Sequence, residues 1–231
     1  MQGRKLAVEI ARGAVAMMSL PFTLFRRSAR AVGERSQSAR RAKFDTAKWN
    51  LYLLRHLEWR RFEQLGAAYF EALGMVTSIT RARADGGADI VLGVEANTAP
   101  HVLARCKAWS PYPIGIKPLE ELHAAMAPEG VREGAFLTSG RFTPEAAKFA
   151  AKHSILLLDG AQLIEQFAAL APEKSLALLQ LATKGDFLTP TCPCCSIKMT
   201  SRKSTGEGRA FWGCENYPRC KQTAPATAFA P

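Results

Sequence analysis

Four cysteines near the C-terminus constrain what this chain can fold into more than any other feature. Cys192 and Cys195 form a C-x2-C pair, and Cys214 and Cys220 complete the set after a spacer of 18 residues. Two pairs of thiolates on short turns are the ligand set of a closed, tetrahedral zinc site. A segment of about 30 residues buries too little apolar surface to fold unaided, so a bound ion would supply most of its folding free energy. The spacing predicts one structural Zn²⁺, with Cys194 left open as a substitute for Cys195.

The residues around the second cysteine pair indicate a role in binding nucleic acid. The run FWGCENYPRCK at 211–221 resembles the zinc ribbon at the C-terminus of type IA DNA topoisomerases, over about residues 191–223. The resemblance implies contact with single-stranded DNA, and aromatic rings among cations suit stacking on bases beside phosphates. The residues expected to bind DNA are Phe211, Trp212, Tyr217, Arg202, Lys203, Arg209, Arg219 and Lys221. The alternative that at least one of these aromatic rings packs a small core stays open.

The net charge of +11 is concentrated at the two ends of the chain. Residues 1–44 contain ten lysines and arginines against two acidic residues, and residues 192–223 contain six against two. Residues 45–191 are nearly neutral, with fifteen basic and sixteen acidic side chains. Basic flanks attract a polyanion such as DNA without sequence preference. An arm that only aids solubility is the alternative.

The first 44 residues form a basic, partly apolar arm. The apolar run at 13–25 has thirteen residues, short of the ~20 that a membrane-spanning helix needs. An amphipathic helix at a membrane surface, with contact through residues 1–27, and a cleaved signal both stay open. Four of the six cysteines have metal spacing, and Cys106 and Cys194 have no obvious shared partner. These features favour a reducing cytoplasm.

Residues 45–171 read as an α/β domain, followed by a linker at 172–190, the ribbon at 191–223 and a tail at 224–231. Three- and four-residue steps of apolar side chains predict a helix from Trp59 to Gly74. Thr143 is placed to cap a helix that begins at Pro144. The other predicted elements are strands at 77–83, 88–94, 101–106, 134–138 and 155–158, and helices at 119–127 and 161–170. The runs at 88–94 and 101–106 should pair as a hairpin within a mixed central sheet covered on both faces.

Several motifs then occur in a distinctive order: FEQLGAAYFEALG, DGGADIVL, LARCKAW, GAFLTSGRFTPEAAKFA and ILLLDGAQL. Together they resemble the Mrr-type restriction endonuclease domain over about residues 57–168. The resemblance implies the restriction-endonuclease-like fold, with a central mixed sheet flanked by helices, and cleavage of DNA with Mg²⁺ or Mn²⁺.

The resemblance also implies roles for particular residues. Asp89 matches the metal-binding aspartate, Lys107 matches the lysine that orients or activates water, and Glu63 matches an additional acidic residue on the preceding helix. This chemistry is consistent, because phosphodiester hydrolysis needs a hard cation on oxygen ligands and a positioned water. Cys106 should be a core residue that faces away from the site, since side chains alternate along a strand.

Arg105 departs from the family pattern, in which Gln or Glu usually stands two residues before the lysine. Arginine has no acceptor atom and stays charged, so it cannot replace that oxygen ligand. It would clamp the scissile phosphate, pair with a carboxylate and weaken an active site, or mark a domain that binds DNA without cutting it.

The sequence therefore predicts a cytoplasmic, metal-dependent DNA endonuclease of the restriction type, with one structural zinc. The alternatives are a catalytically impaired DNA-binding protein on the same scaffold and a membrane-associated adaptor. Cutting both strands of a duplex commonly calls for two active sites, which leaves a homodimer open. The chain contains no nucleotide-binding glycine loop, so neither ATP use nor translocation is expected.

Overall fold

The computed structural model describes residues 45–79, 89–93, 101–108, 112–204 and 208–225. The arm at 1–44, with its expected DNA and membrane contacts, lies outside the described residues, as do positions 226–231 of the tail. The described helices and strands form an α/β domain and a small three-stranded sheet.

The α/β domain alternates helices and strands in the order expected for a covered sheet. Its helices are α1 (Leu51–His56), α2 (Trp59–Ala72), α3 (Lys117–Met126), α4 (Pro144–Lys152), α5 (Gly160–Ala169) and α6 (Pro172–Thr183). Its strands are β1 (Val76–Ile79), β2 (Asp89–Gly93), β3 (Val102–Lys107), β4 (Glu133–Thr138) and β5 (Ile155–Leu158).

The five strands form one mixed sheet in the order β1-β2-β3-β4-β5. The first two pairs are antiparallel, so the predicted hairpin of β2 and β3 is confirmed. The pairs of β3 with β4 and of β4 with β5 are parallel. Parallel neighbours need a crossover, and α3 and α4 supply the two crossovers.

Helices cover both faces of this sheet, because alternate residues of the strands are apolar on each side. One face carries Ile90, Ala104, Cys106 and Leu137, which pack with residues of α1, α2, α5 and α6. The opposite face packs against α3 and α4, and its strand residues are Leu103, Phe136 and Ile155.

Two predicted helix starts are confirmed by their caps. The hydroxyl of Thr143 accepts a hydrogen bond from the amide of Ala146 at 3.2 Å, ahead of Pro144 at the start of α4. The carboxylate of Asp159 accepts from the amides at the start of α5, and Gln162 completes a capping box. These caps satisfy amides that a helix leaves without partners at its first turn.

The linker expected at 172–190 is wrong in its first twelve residues, which form helix α6. Leu178, Leu179 and Ala182 are buried in the core cluster shared with α2 and α5. The ammonium of Lys174 donates to the carbonyl of Ala72 at 2.6 Å and ties α6 to the end of α2. Burial of these apolar side chains favours a packed helix over a flexible connection.

The C-terminal sheet consists of the antiparallel strands β6 (Met199–Lys203), β7 (Ala210–Cys214) and β8 (Thr223–Pro225). Its small core contains Cys192, Met199 and Cys214. In the part of the chain that the structure describes, no helix has the length and apolar character needed to cross a membrane.

Candidate functional site

The β2–β3 hairpin determines how three predicted site residues are arranged. Asp89, the first residue of β2, pairs directly with Arg105 of β3. Lys107 stands two residues further along β3, so it shares a face of the strand with Arg105. Arg105 is 6% exposed, whereas Lys107, at the strand end, is exposed. The structure describes the backbone of Asp89 but not its side chain, so the position of Asp89 is known from its backbone alone.

Arg105 forms an ion pair with a carboxylate, which was one of the three roles expected for it, but the sequence did not predict the partner. Its Nη1 lies 3.7 Å from Oε2 of Glu121, and the Glu121 side chain is 43% exposed. Glu121 belongs to α3, which covers the face of the sheet that carries Arg105 and Lys107. No motif spacing relates a strand residue to a helix in the following crossover, so only the packing reveals this pair.

Glu63 lies on α2, which covers the other face of the sheet. It is 4% exposed and stands three residues before Gly66. A Cβ placed on Gly66 would be only 2.4 Å from the sulfur of Cys106, so the helix approaches β3 very closely here. Cys106 is 1% exposed in the core, as predicted. Glu63 is therefore about one helical turn before Gly66. Gly66 in turn lies against Cys106, the residue next to Lys107 in β3.

Positive charge also gathers where β4 and β5 end. Burial lowers the pKa of the Arg55 guanidinium, and the nearby charge of Arg141 lowers that pKa further, while Asp159 raises it. The carboxylate of Asp159 is engaged in capping α5 at 2.9 and 3.0 Å. Two arginines against one carboxylate, which caps α5, leave this end of the parallel strands with a net positive charge. Such a charge favours the binding of a phosphate group.

Comparisons with known proteins match about half of the chain to one protein family. Residues 54–167 match a family described as Mrr_cat, restriction endonuclease. An uncharacterized protein of Sinorhizobium fredii, y4cE, is 35% identical over 96 residues, which cover 40% of this chain and 24% of that protein. The chain thus spans about a quarter of the length of this relative.

Two solved structures are similar to the chain at low identity. The DNA modification-dependent restriction endonuclease AspBHI is 15% identical with a TM-score of 0.41, covering 70% of this chain and 43% of that one. The MspJI restriction endonuclease, in complex with a 27-mer oligonucleotide, is 16% identical with a TM-score of 0.38, covering 75% and 42%. The chain spans less than half the length of either.

The cysteine cluster lies C-terminal to the Mrr_cat segment. The sulfur atoms of Cys192, Cys195, Cys214 and Cys220 all lie within 4.8 Å of one another, so this set can hold a metal ion. The sulfurs of Cys192 and Cys220 are 3.8 Å apart. Cys194 is exposed, and its sulfur lies 3.7 Å from Oε1 of Gln222. The cluster thus contains the four predicted ligands, including Cys195, and does not contain Cys194.

Burial and the neighbouring thiols favour the protonated form of Cys214 in the absence of a cation. Burial raises the pKa of the Cys214 thiol to about 12, and hydrogen bonds with the thiols of Cys192, Cys220 and Cys195 also raise it. The amide of Asn216 acts in the opposite direction. An ion bound here must therefore displace protons from its ligands.

The predicted DNA-binding residues of the ribbon divide into two environments. Tyr217 is 59% exposed, and the guanidinium of Arg202 lies 5.3 Å from its ring centroid. Arg202 pairs with Phe211 across the β6–β7 ladder. Trp212 is half-buried against the cysteine cluster, so one of the three aromatic rings packs the small core. The exposed basic side chains are those of Lys203, Arg209, Arg219 and Lys221.

Proposed function

We propose that this protein is a metal-dependent DNA endonuclease that hydrolyses phosphodiester bonds, of the restriction type. The observation that carries the proposal is the register of the hairpin. It pairs Asp89 with Arg105 two residues before Lys107, inside the segment that matches the Mrr_cat restriction endonuclease family.

The residues of this site have the chemistry that a hard divalent cation requires. Asp89 and the backbone carbonyl of Cys106 would hold Mg²⁺ or Mn²⁺ through oxygen atoms, which such ions prefer, whereas Glu63 lies on the helix that covers the opposite face of the sheet. When bound, the cation supplies charge stabilisation to the phosphate and acidifies water. Lys107 orients the attacking water, and its exposed position at the end of β3 leaves its ammonium accessible to DNA.

Glu121 changes the charge balance that the motif alone implies. On the face of the sheet that carries Arg105 and Lys107, these two residues and Asp89 sum to +1, which disfavours a cation. Including Glu121, which pairs with Arg105 at 3.7 Å, the four side chains sum to zero. Removal of the excess positive charge favours binding of a divalent cation, and this balance supports an active enzyme in spite of the departure at Arg105.

A catalytically impaired DNA-binding protein is the second candidate, and the burial of Arg105 favours it. A buried guanidinium offers no oxygen where the family has Gln or Glu. The substitution Arg105→Gln separates the possibilities: increased cleavage means that Arg105 impairs a working site, whereas lost cleavage means that it clamps the phosphate.

The ribbon is proposed to bind one structural Zn²⁺ and to assist DNA binding. Two sulfurs on a tetrahedral ion with bonds of about 2.3 Å lie ~3.8 Å apart, and the Cys192–Cys220 separation of 3.8 Å fits this value. Tyr217, with Arg202 beside its ring, offers a stacking surface for an unpaired base. The exposed cations around it favour phosphate.

The experiment incubates purified full-length protein with supercoiled plasmid and either Mg²⁺ or Mn²⁺. Nicking is expected with at least one of these metals. Asp89→Ala and Lys107→Ala should abolish it while DNA binding stays nearly intact. Lys117→Ala, which removes an exposed lysine at the start of α3, is the matched control and should retain activity. Absence of nicking with both metals, at concentrations that clearly bind DNA, would reject the enzyme.

A further inference from the structure

A single buried carboxylate joins the ribbon to the start of α2. Glu58 is 3% exposed and is the N-cap of that helix. Its Oε1 accepts from the Thr191 hydroxyl at 3.0 Å and from the Lys198 ammonium at 3.2 Å. Its Oε2 accepts from the amides of Thr191 at 3.2 Å and Arg60 at 3.1 Å. Both oxygens are thus doubly occupied, which is the full acceptor capacity of a carboxylate.

Three of these four donors belong to the ribbon, and the first cysteine pair fixes their geometry. Thr191 immediately precedes Cys192, and Thr191 and Lys198 form an isolated β-bridge. The amide of Cys192 donates to the carbonyl of Ile197 at 2.7 Å within the same turn. The donors that converge on Glu58 therefore depend on the shape of a turn that carries two of the proposed metal ligands.

Further hydrogen bonds close the same junction. The indole of Trp59 donates to the carbonyl of Thr191 at 2.7 Å. The amide of Glu58 donates to the carbonyl of Phe187 at 2.9 Å, and Lys198 also donates to the carbonyl of Thr189 at 2.8 Å. The ribbon is consequently docked on the α/β domain through buried polar contacts rather than tethered by a loose chain.

We propose that Glu58 is a positioning residue that couples metal binding in the ribbon to the structure at the start of α2. An ion on the four sulfurs holds the first cysteine turn in shape, and that turn presents Thr191 and Lys198 to Glu58. When the ion is removed, the turn loses its constraint, and the cap of α2 loses three of its four partners. The same helix carries Glu63 and Gly66 and packs on β3. Binding or loss of metal in the ribbon therefore changes the stability of the start of this helix. This coupling rests on the proposed zinc site of the ribbon and does not depend on the proposed nuclease activity.

The substitution Glu58→Gln tests the coupling because it preserves the shape of the side chain. A glutamine has one acceptor oxygen and one amide nitrogen with two donors. The side-chain nitrogen would face either the amides of Thr191 and Arg60 or the Lys198 ammonium. These groups are all donors, so the glutamine nitrogen cannot form a hydrogen bond with them. Glu71→Gln is the matched control, because Glu71 is an exposed residue near the other end of α2.

The measurement is amide hydrogen exchange of the full chain, as purified with Zn²⁺ and after removal of zinc by a chelator, with bound zinc counted in each sample. In wild type and Glu71→Gln, zinc should protect the ribbon and also the amides of Arg60 and Phe62. In Glu58→Gln, zinc should still bind and protect the ribbon, but protection of the α2 amides should fall roughly tenfold.

Two results would overturn the proposal. One is zinc-dependent protection of α2 that is equal in Glu58→Gln and wild type. The other is no effect of zinc on α2 in the wild-type protein. If Glu58→Gln does not fold, Lys198→Met removes one donor only and should give a smaller loss in the same amides; unchanged protection there would equally reject the coupling.

Discussion

The close contact between α2 and β3 allows a prediction whose sign depends on a second residue. Gly66→Ala adds a Cβ that would lie 2.4 Å from the sulfur of Cys106. Side chains of Leu137 and Ile90 would be at 3.5 and 3.6 Å, which are ordinary contacts. The sulfur is therefore the only serious obstacle among the described neighbours, and either the Cys106 side chain must rotate or α2 and β3 must move apart.

Two opposing effects determine the magnitude. Forcing an extra methyl group into a packed core typically costs about 1–3 kcal/mol. Replacing glycine by alanine within a helix contributes about 0.5–1 kcal/mol of stability. The net expectation for Gly66→Ala is a loss of about 1–2 kcal/mol from the free energy of unfolding. If Cys106 is first replaced by alanine, the obstacle is gone, and the same change should stabilise the protein by about 0.5–1 kcal/mol.

The assay is urea unfolding of the metal-loaded full chain, with four proteins that form a double-mutant cycle: wild type, Gly66→Ala, Cys106→Ala and the double variant. Gly115→Ala is the control, since a Cβ there meets nothing within 4 Å, and should change stability by less than about 0.5 kcal/mol. Equal effects of Gly66→Ala in both backgrounds would refute the reasoning, because the cost would then not arise from the sulfur.

Three further predictions concern charge, metal and capping. Glu121→Gln should raise the Mg²⁺ concentration for half-maximal nicking about tenfold, because Arg105 loses a counter-charge that solvent partly screens; an unchanged requirement would mean that the pair does not influence the metal. Cys214→Ser should lose bound zinc while Cys194→Ser retains it. Because the Cys214 thiol has a pKa of about 12 without metal, ions compete with protons, and a chelator should remove zinc more readily at pH ~6 than at pH ~8. Asp159→Ala should lower the unfolding free energy by about 1 kcal/mol in thermal melts, and no change would show that the capping box is dispensable.

The elements predicted correctly are those in which a local pattern agrees with the tertiary packing. Helix α2 has a clear apolar stripe, and β2 and β3 are short apolar runs separated by a turn signal. Helix α1 has six residues, too few for a period to emerge. Helix α6 was missed because its leucines lie on several sides, and Leu176 remains 54% exposed. Tertiary packing against α2 and α5, rather than an amphipathic stripe, defines this helix.

The candidate sites follow the same division between local and distant information. Cysteine spacing predicted the set of sulfurs that converge, since their positions depend on two short turns. The residues that connect these sites to the rest of the molecule had no such signal. Glu58 meets Thr191 across 133 positions of sequence, and Glu121 meets Arg105 only because α3 folds back over β3. Such pairs depend on the docking of whole elements, which no local spacing encodes.

The departure at Arg105 illustrates why a motif alone cannot determine whether a site functions. Counted within the motif, the arginine cancels a negative charge, and one unit charge at about 5 Å amounts to several kcal/mol at an effective dielectric near 20. Glu121 at 3.7 Å returns one negative charge to the same region, although its exposure weakens that effect. The two contributions have opposite sign. Whether the substitution disables cation binding therefore depends on a helix that lies outside the hairpin, and a judgement from the strand sequence alone omits a contribution that opposes the one it includes.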